Sequence, residues 1–148
     1  MPAKPITWIC VADAGHARIK RWAAPTAAFE TVTTIRHDSA SYEHGHFEGP
    51  GKTQESATTA RHSFTDAESP IRREKRQFAH EIADYLNEHA EKRAFQRLIL
   101  AAPPKFLGDL RAALNDGVQK LVVSEVHKDF TKLSDAELKK RIAALPAQ

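Results

Sequence analysis

The sequence predicts an α/β domain built around one mixed five-stranded sheet. Three runs rich in β-branched and aromatic residues follow one another at the start of the chain, as consecutive strands would. Two further apolar runs are each preceded by a segment whose apolar residues recur with helical spacing. The 148 residues, of which 41% are hydrophobic and 28% charged, suit a single globular domain with one core over residues 1–148.

The first three strands are predicted to be consecutive and antiparallel. Ile6 to Ala12 is almost continuously apolar, which predicts a strand buried on both faces. After a turn at Asp13-Ala14-Gly15-His16, the run Ala17 to Trp22 alternates, which predicts a half-buried strand. Its polar face, expected to be solvated, carries Arg18 and Lys20. Phe29 to Arg36 is the third predicted strand. Together they form a meander.

A long connection and a long helix follow. His37 to Ser69 shows no sustained periodicity and is predicted to be a long flexible loop. Ser69 and Pro70 begin a helix, as N-cap and first helical residue, and the helix ends near Arg93. Its apolar face is predicted to contain Ile71, Phe78, Ile82, Leu86 and Ala90.

Two strands and two helices complete the chain. The strands are predicted over Arg97 to Ala102 and Leu121 to Val126. The helix between them begins at Pro103-Pro104 and ends at Asn115-Asp116-Gly117. The last helix, about Asp135 to Leu145, begins with a Ser-x-x-Glu capping box.

The order of elements, βββαβαβα, predicts how the strands pair. Helical crossovers between the later strands favour parallel pairs, whereas the first three strands should be antiparallel. This arrangement is broadly ribonuclease H-like.

Composition narrows the class of protein. The 22 basic and 19 acidic residues give a net charge of +3, a mild basic bias that is compatible with nucleic acid. The single cysteine, Cys10, lies in an apolar run and has no internal disulfide partner, which favours a reducing compartment.

The first apolar stretch is short and is followed at once by Asp13, Arg18 and Lys20, so neither an export signal nor a membrane span is predicted. A cytoplasmic protein that does not use a membrane is expected.

The segment EHGHFEGPGKTQES, Glu43 to Ser56, resembles a phosphate-binding P-loop without matching it. A P-loop has four residues between its first glycine and the Gly-Lys pair, and that first position is His46 here, since Gly45 lies one residue too early. The segment also lacks a preceding strand and a following helix start. We predict no nucleotide-binding P-loop.

Metal-dependent chemistry has incomplete support. His44 and His46 offer nitrogen ligands for Zn²⁺ or Ni²⁺, but a polar loop without metal is the preferred interpretation. Two-metal phosphodiester cleavage needs converging carboxylates. Asp13 and either Glu81 or Asp84 are candidates, yet the fourth strand ends without an acid, so Asp13 is interpreted as a turn residue. We predict a non-enzymatic protein without a cofactor, with a metal-dependent hydrolase or nuclease as an alternative.

A cluster of cationic residues lies at the start of the long predicted helix. Cations at a helix N-terminus oppose the helix dipole, so their presence there favours an anionic partner. Beside a glycine-containing loop, such a cluster suits a phosphate backbone. The predicted contacts to RNA or another polyanion are Lys52, Arg61, Arg72, Arg73, Lys75 and Arg76.

Four blocks of sequence resemble the bacterial host attachment protein family. The blocks are TWICVADAGHARIKRW, the loop GPGK, LILAAPPKFLGDLRAAL and LVVSEVHKDFTKLSDAEL. The family is described as required for attachment to host cells, and it is similar to the middle domain of archaeal and eukaryotic peptide-release factors, which has a ribonuclease H-like core. Gly49 to Gln54 stands where those factors carry a Gly-Gly-Gln motif, and this chain lacks the motif, so the resemblance does not imply peptide release.

The resemblance and the basic cluster together give the functional hypothesis. We expect a cytoplasmic, non-enzymatic protein that binds RNA or the ribosome in a translation-related role. The alternative is an attachment factor that acts at the cell surface.

Overall fold

The computed structural model describes residues 5–23, 29–37 and 69–145. The strands within these ranges are β1 (Thr7–Ala12), β2 (His16–Trp22), β3 (Phe29–Arg36), β4 (Arg97–Ala101) and β5 (Val122–Val126). The helices are α1 (Pro70–Glu91), α2 (Pro104–Ala113), α3 (Asp116–Gln119) and α4 (Asp135–Ala143). Apart from the short α3, the elements follow the predicted order.

The strands form one mixed sheet with the order β3-β2-β1-β4-β5. β2 is antiparallel to β1 and to β3, whereas β4 is parallel to β1 and to β5. β4 follows α1, and β5 follows α2 and α3, as parallel pairing requires. The predicted α/β class, with one mixed five-stranded sheet, is confirmed.

β1 lies at the centre of the sheet and is buried on both sides, as predicted. Trp8 and Cys10 belong to the apolar layer that contains α1 and α2, and Ile9 and Val11 belong to the opposite layer. Burial raises the pKa of the Cys10 thiol to about 12, so the thiol is neutral at physiological pH. Cys10 therefore acts as a small buried hydrophobic residue.

α1 and α2 cover one face of the sheet. The buried residues of α1 are Phe78, Ala79, Ile82, Ala83 and Leu86. The prediction that Ile71 joins this face is wrong, because its side chain is 40% exposed. Ile71 lies in the first turn, where it lines a cleft between α1 and α2.

α4 covers the opposite face and buries a charge that the alternating pattern of β2 places in solvent. Leu138 and Ile142 of α4 pack on Ile9 and Val11. The start of α4 also covers Lys20, which is only 3% exposed. The Nζ atom of Lys20 lies 2.9 Å from Oδ1 of Asp135, the first residue of α4. The expectation of a solvated polar face on β2 is wrong at this position, because the ion pair allows the lysine to be buried.

α1 has the predicted start. The Ser69 Oγ accepts a hydrogen bond from the Arg72 backbone N–H at 3.0 Å, and Pro70 is the first helical residue. At the other end, Arg93 has a φ of 62° and the Ala94 N–H donates to the His89 carbonyl at 3.0 Å. A left-handed residue closes the helix in this way at a cost of about 1–2 kcal/mol for a residue with a Cβ.

The second predicted helix is two helices. α2 ends at Ala113, and Asn115 then caps α3 by accepting a hydrogen bond from the Val118 N–H at 3.0 Å. The Asn115-Asp116-Gly117 segment, predicted to close one helix, therefore opens another. Asparagine is as favourable at an N-cap as in a turn, and its side chain decides the outcome here.

The last helix begins as predicted. Ser134 and Glu137 exchange the two hydrogen bonds of a capping box. Leu145, predicted as its last residue, lies beyond Ala143, where the helix ends. In the described ranges, no helix combines the length and apolar character that a membrane crossing requires.

Candidate functional site

The carboxyl-terminal ends of four strands, β1, β3, β4 and β5, lie at one edge of the sheet. β1 and β4 are parallel neighbours, and β3 runs in the same direction because β1 and β3 are both antiparallel to β2. Directly after β3, the backbone N–H of His37 donates to the carbonyl of Gly15, in the turn after β1, at 3.0 Å. Ligands of α/β sheets bind at this kind of edge, so a functional site is expected here.

Asp13 holds the turn after β1. Its Oδ1 accepts hydrogen bonds from the Gly15 N–H at 2.7 Å and the His16 N–H at 2.9 Å. Its Oδ2 accepts from the Thr131 hydroxyl at 3.3 Å. These contacts match the interpretation of Asp13 as a turn residue.

The candidate metal ligands do not converge in the part of the chain that the structure describes. Across residues 5–23, 29–37 and 69–145, no group of three or more His, Cys, Asp and Glu side chains is placed to hold a metal ion. Glu81 lies instead beside His37, with Oε1 3.9 Å from the imidazole Nδ1. His44 and His46 lie outside the described residues, as do most of the predicted loop and its Lys52 and Arg61.

Arg72 links α1 to α2. Its guanidinium makes a bidentate ion pair with the Asp109 carboxylate, in which Nη2 lies 2.6 Å from Oδ1 and Nη1 contacts Oδ2. The two side chains are 26% and 12% exposed, so the pair is partly shielded from water. Bidentate geometry makes an arginine–carboxylate pair stronger and more directional than a single contact. Its predicted contact with RNA stays a prediction.

The other predicted cations of α1 are exposed. Arg73, Lys75 and Arg76 all have exposed side chains, and the first turn of the helix has no acidic residue. Glu74, the nearest acid along α1, contacts the imidazole Nε2 of His37 at 2.5 Å. The exposed side of this helix end is therefore cationic. The contacts of these residues with RNA also stay predictions.

A cleft of about 360 Å³ lies between the first turns of α1 and α2. Its apolar walls come from both helices and from the turn after β1, and two lysines, Lys75 and Lys105, stand among them. Sequence reasoning missed Lys105, although its position after a strand and two prolines is a signal for this edge of the sheet. The apolar lining is supplied by Ala14, Ile71, Pro103 and Phe106.

The N-cap residue of α2 is a proline, which has no side-chain oxygen for capping. Pro103 is its N-cap residue and makes no side-chain hydrogen bond to the first turn. Pro104 follows as the first helical residue, where its missing N–H does no harm. The positive end of the α2 dipole therefore has no capping oxygen from Pro103, which adds to the positive potential of the cleft.

His37 is a second residue that sequence reasoning did not single out. Its side chain is 9% exposed, and its ring packs on Phe78 at a centroid distance of 5.2 Å. Nε2 contacts Glu74, whereas the buried Nδ1 has no hydrogen-bond partner among the described residues. The residue fixes the end of β3 to the first turns of α1.

The fold and this edge define an α/β protein with one mixed sheet and a cationic cleft at the carboxyl-terminal ends of its strands. The sequence matches the family described as "Protein required for attachment to host cells" over residues 8–142. The chain belongs to this host attachment family, as its sequence resemblance indicated.

Solved structures with a similar fold include a translation factor. No curated protein matches the chain. Among solved structures, the chain is similar to the crystal structure of an archaeal translation termination factor, with 11% sequence identity and a TM-score of 0.49. The similarity covers 93% of this chain and 38% of the termination factor, so this chain spans well under half of that protein.

Proposed function

We propose that this protein binds RNA, in a translation-related role in the cytoplasm, through the cationic end of α1. The observation that carries the proposal is the set of exposed cations, Arg73, Lys75 and Arg76, in a helix end without an acid in its first turn. Lys105 extends the same charge across the cleft onto α2.

The energetics of α1 favour an anionic partner. An exposed cation in the first turn of a helix, such as Arg73, is unfavourable by about 0.3–1 kcal/mol because it opposes the dipole. Asp109 compensates Arg72. The adjacent cations raise the local potential further, and a phosphate chain would relieve their repulsion while releasing its own counterions.

A matched charge-reversal experiment tests the proposal. In Arg73→Glu/Arg76→Glu, loss of two phosphate contacts should lower the magnitude of the slope of log K against log salt by about 1.4 for single-stranded RNA. Both side chains are exposed and neither lines the cleft. Urea unfolding checks that the variant is folded. Binding to an unstructured RNA by fluorescence anisotropy, and co-sedimentation with ribosomes, are measured at several salt concentrations.

The control is Lys92→Glu/Lys120→Glu, which makes the same change in net charge. Lys92 follows the carboxyl-terminal end of α1, and Lys120 precedes β5, so both lie at the opposite edge of the sheet. The control should bind RNA with the wild-type slope. Equal binding by wild type and Arg73→Glu/Arg76→Glu, in both affinity and slope, would overturn the proposal.

A second candidate function is direct attachment at the cell surface, which the family description favours. It predicts that the protein is found outside the cell. Cell fractionation alongside a cytoplasmic marker distinguishes the two candidates. Distribution with the marker supports the RNA-binding proposal, and recovery from the cell surface or medium supports attachment.

A further inference from the structure

Ile71 is an exposed hydrophobic residue without a packing role in the core. Within the described ranges it is the one large hydrophobic side chain that is classed as exposed, at 40%. The other apolar residues of α1 that helical spacing groups with it are buried or partly buried in the main core. Ile71 instead forms part of the wall of the cleft between α1 and α2. An apolar side chain in such a position provides contact area for a bound molecule.

The remaining walls of the cleft are also largely apolar. Phe106, 5% exposed, forms part of the wall from α2, and Pro103 and Ala14 contribute from the segments after β4 and β1. The cleft volume of about 360 Å³ lies near the lower end of the range of about 300–1,000 Å³ that is typical of small-molecule sites. A site of this size suits one small organic ligand.

The cleft contains more cationic than anionic side chains. Arg72 and Asp109 both line it, and their ion pair cancels one charge of each sign. Lys75 and Lys105 then give the cleft a net positive charge. Neither lysine takes part in an ion pair among the residues that the structure describes. Apolar walls and two such ammonium groups are complementary to a ligand with one flat apolar part and one anionic group.

We propose that the cleft binds one nucleotide unit, with its base against Ile71 and Phe106 and its phosphate paired with Lys75 and Lys105. The proposal rests on the proposed RNA-binding function, since an RNA chain held by Arg73 and Arg76 would supply that nucleotide. It adds a subsite that contacts a base, whereas the exposed cations of α1 contact only the backbone.

Titration with free ligands tests the subsite without RNA. Adenosine 5′-monophosphate and uridine 5′-monophosphate should bind the intact protein in calorimetric or NMR titrations. Each should bind at least about tenfold more tightly than either its nucleoside or inorganic phosphate, because only the nucleotide uses both the apolar and the cationic parts of the cleft. Nucleotide binding that is no tighter than binding of inorganic phosphate would overturn the proposal.

Two variants locate the binding. Ile71→Asp and Lys105→Glu should each weaken binding of adenosine 5′-monophosphate by about tenfold or more, whereas Lys120→Glu should leave it unchanged. Both substituted side chains are exposed, and urea unfolding confirms that each variant is folded. Wild-type nucleotide affinity in both variants would overturn the proposal.

The two proposals fail in different ways. If Arg73→Glu/Arg76→Glu weakens RNA binding but no mononucleotide binds, the subsite is overturned and the RNA-binding function is supported. If mononucleotides bind in the cleft but RNA does not bind to the wild type, the RNA-binding function is overturned and the cleft is a site for free nucleotides.

Discussion

Replacing Phe78 with alanine is expected to lower the free energy of unfolding by about 3–5 kcal/mol. Phe78 is fully buried in α1, and its ring lies 6.0 Å from the ring of Phe106 and 5.2 Å from that of His37. Its removal leaves a cavity beneath a wall of the cleft and beside the residue that ends β3. Urea unfolding followed by circular dichroism measures the change, with the slope against urea used to confirm that the folded state is still compact.

Two variants of the same helix serve as references for this prediction. Phe78→Leu retains most of the apolar volume and should lose much less stability. It also provides a measurable variant at this position if Phe78→Ala does not fold. Ile71→Ala should change the free energy of unfolding by no more than about 0.5 kcal/mol, because Ile71 is exposed. A loss at Ile71 equal to that at Phe78 would show that Ile71 belongs to the core, as its helical spacing suggested.

The parts of the fold that depend on local sequence were predictable. The apolar run of β1 identified a strand buried on both faces, and Ser69-Pro70 and the Ser134 capping box marked the starts of α1 and α4. These signals work because the interactions that determine them join residues within one turn or one strand. The parallel and antiparallel pairs then followed from the order of the elements.

The sequence predictions that proved wrong concern residues whose environment is determined by a segment that is distant in the sequence. Lys20 alternates like a solvated strand residue, but α4, more than a hundred positions later, covers it and supplies Asp135. Ile71 has the spacing of a core residue, but it lies in the first turn of α1 and lines the cleft with α2. Periodicity identifies the face of an element and does not show how far the neighbouring layer extends over that face.

The candidate site was predictable only where its residues are close together in the sequence. The cations of α1 were visible as a cluster because they are consecutive in the sequence. The pairing of Arg72 with Asp109, 37 positions away, required the packing of α1 against α2. Lys105 became a candidate for the same reason, since only the fold brings the first turn of α2 to the cleft that Lys75 lines.

Asp135→Ala is expected to lower the free energy of unfolding by about 2–4 kcal/mol, although the Asp135 side chain is 53% exposed. The substitution leaves Lys20 buried without its carboxylate, with the Thr31 hydroxyl oxygen at 2.5 Å as its remaining hydrogen-bond partner. It also removes a charge 3.8 Å from the Arg18 guanidinium. The expected value lies near the lower end for broken buried pairs because water reaches the Asp135 side of the pair.

A double-mutant cycle separates the ion pair from the helix-end effect of Asp135. Lys20→Met alone should change stability by no more than about 1.5 kcal/mol, because methionine has a similar shape and needs no partner. In the Lys20→Met background, Asp135→Ala should cost only about 0.3–1 kcal/mol, the value of an acid in the first turn of α4. Urea unfolding of the four proteins gives the coupling energy. A coupling near zero would mean that Lys20 finds equivalent solvation without Asp135, and that its burial does not depend on the ion pair.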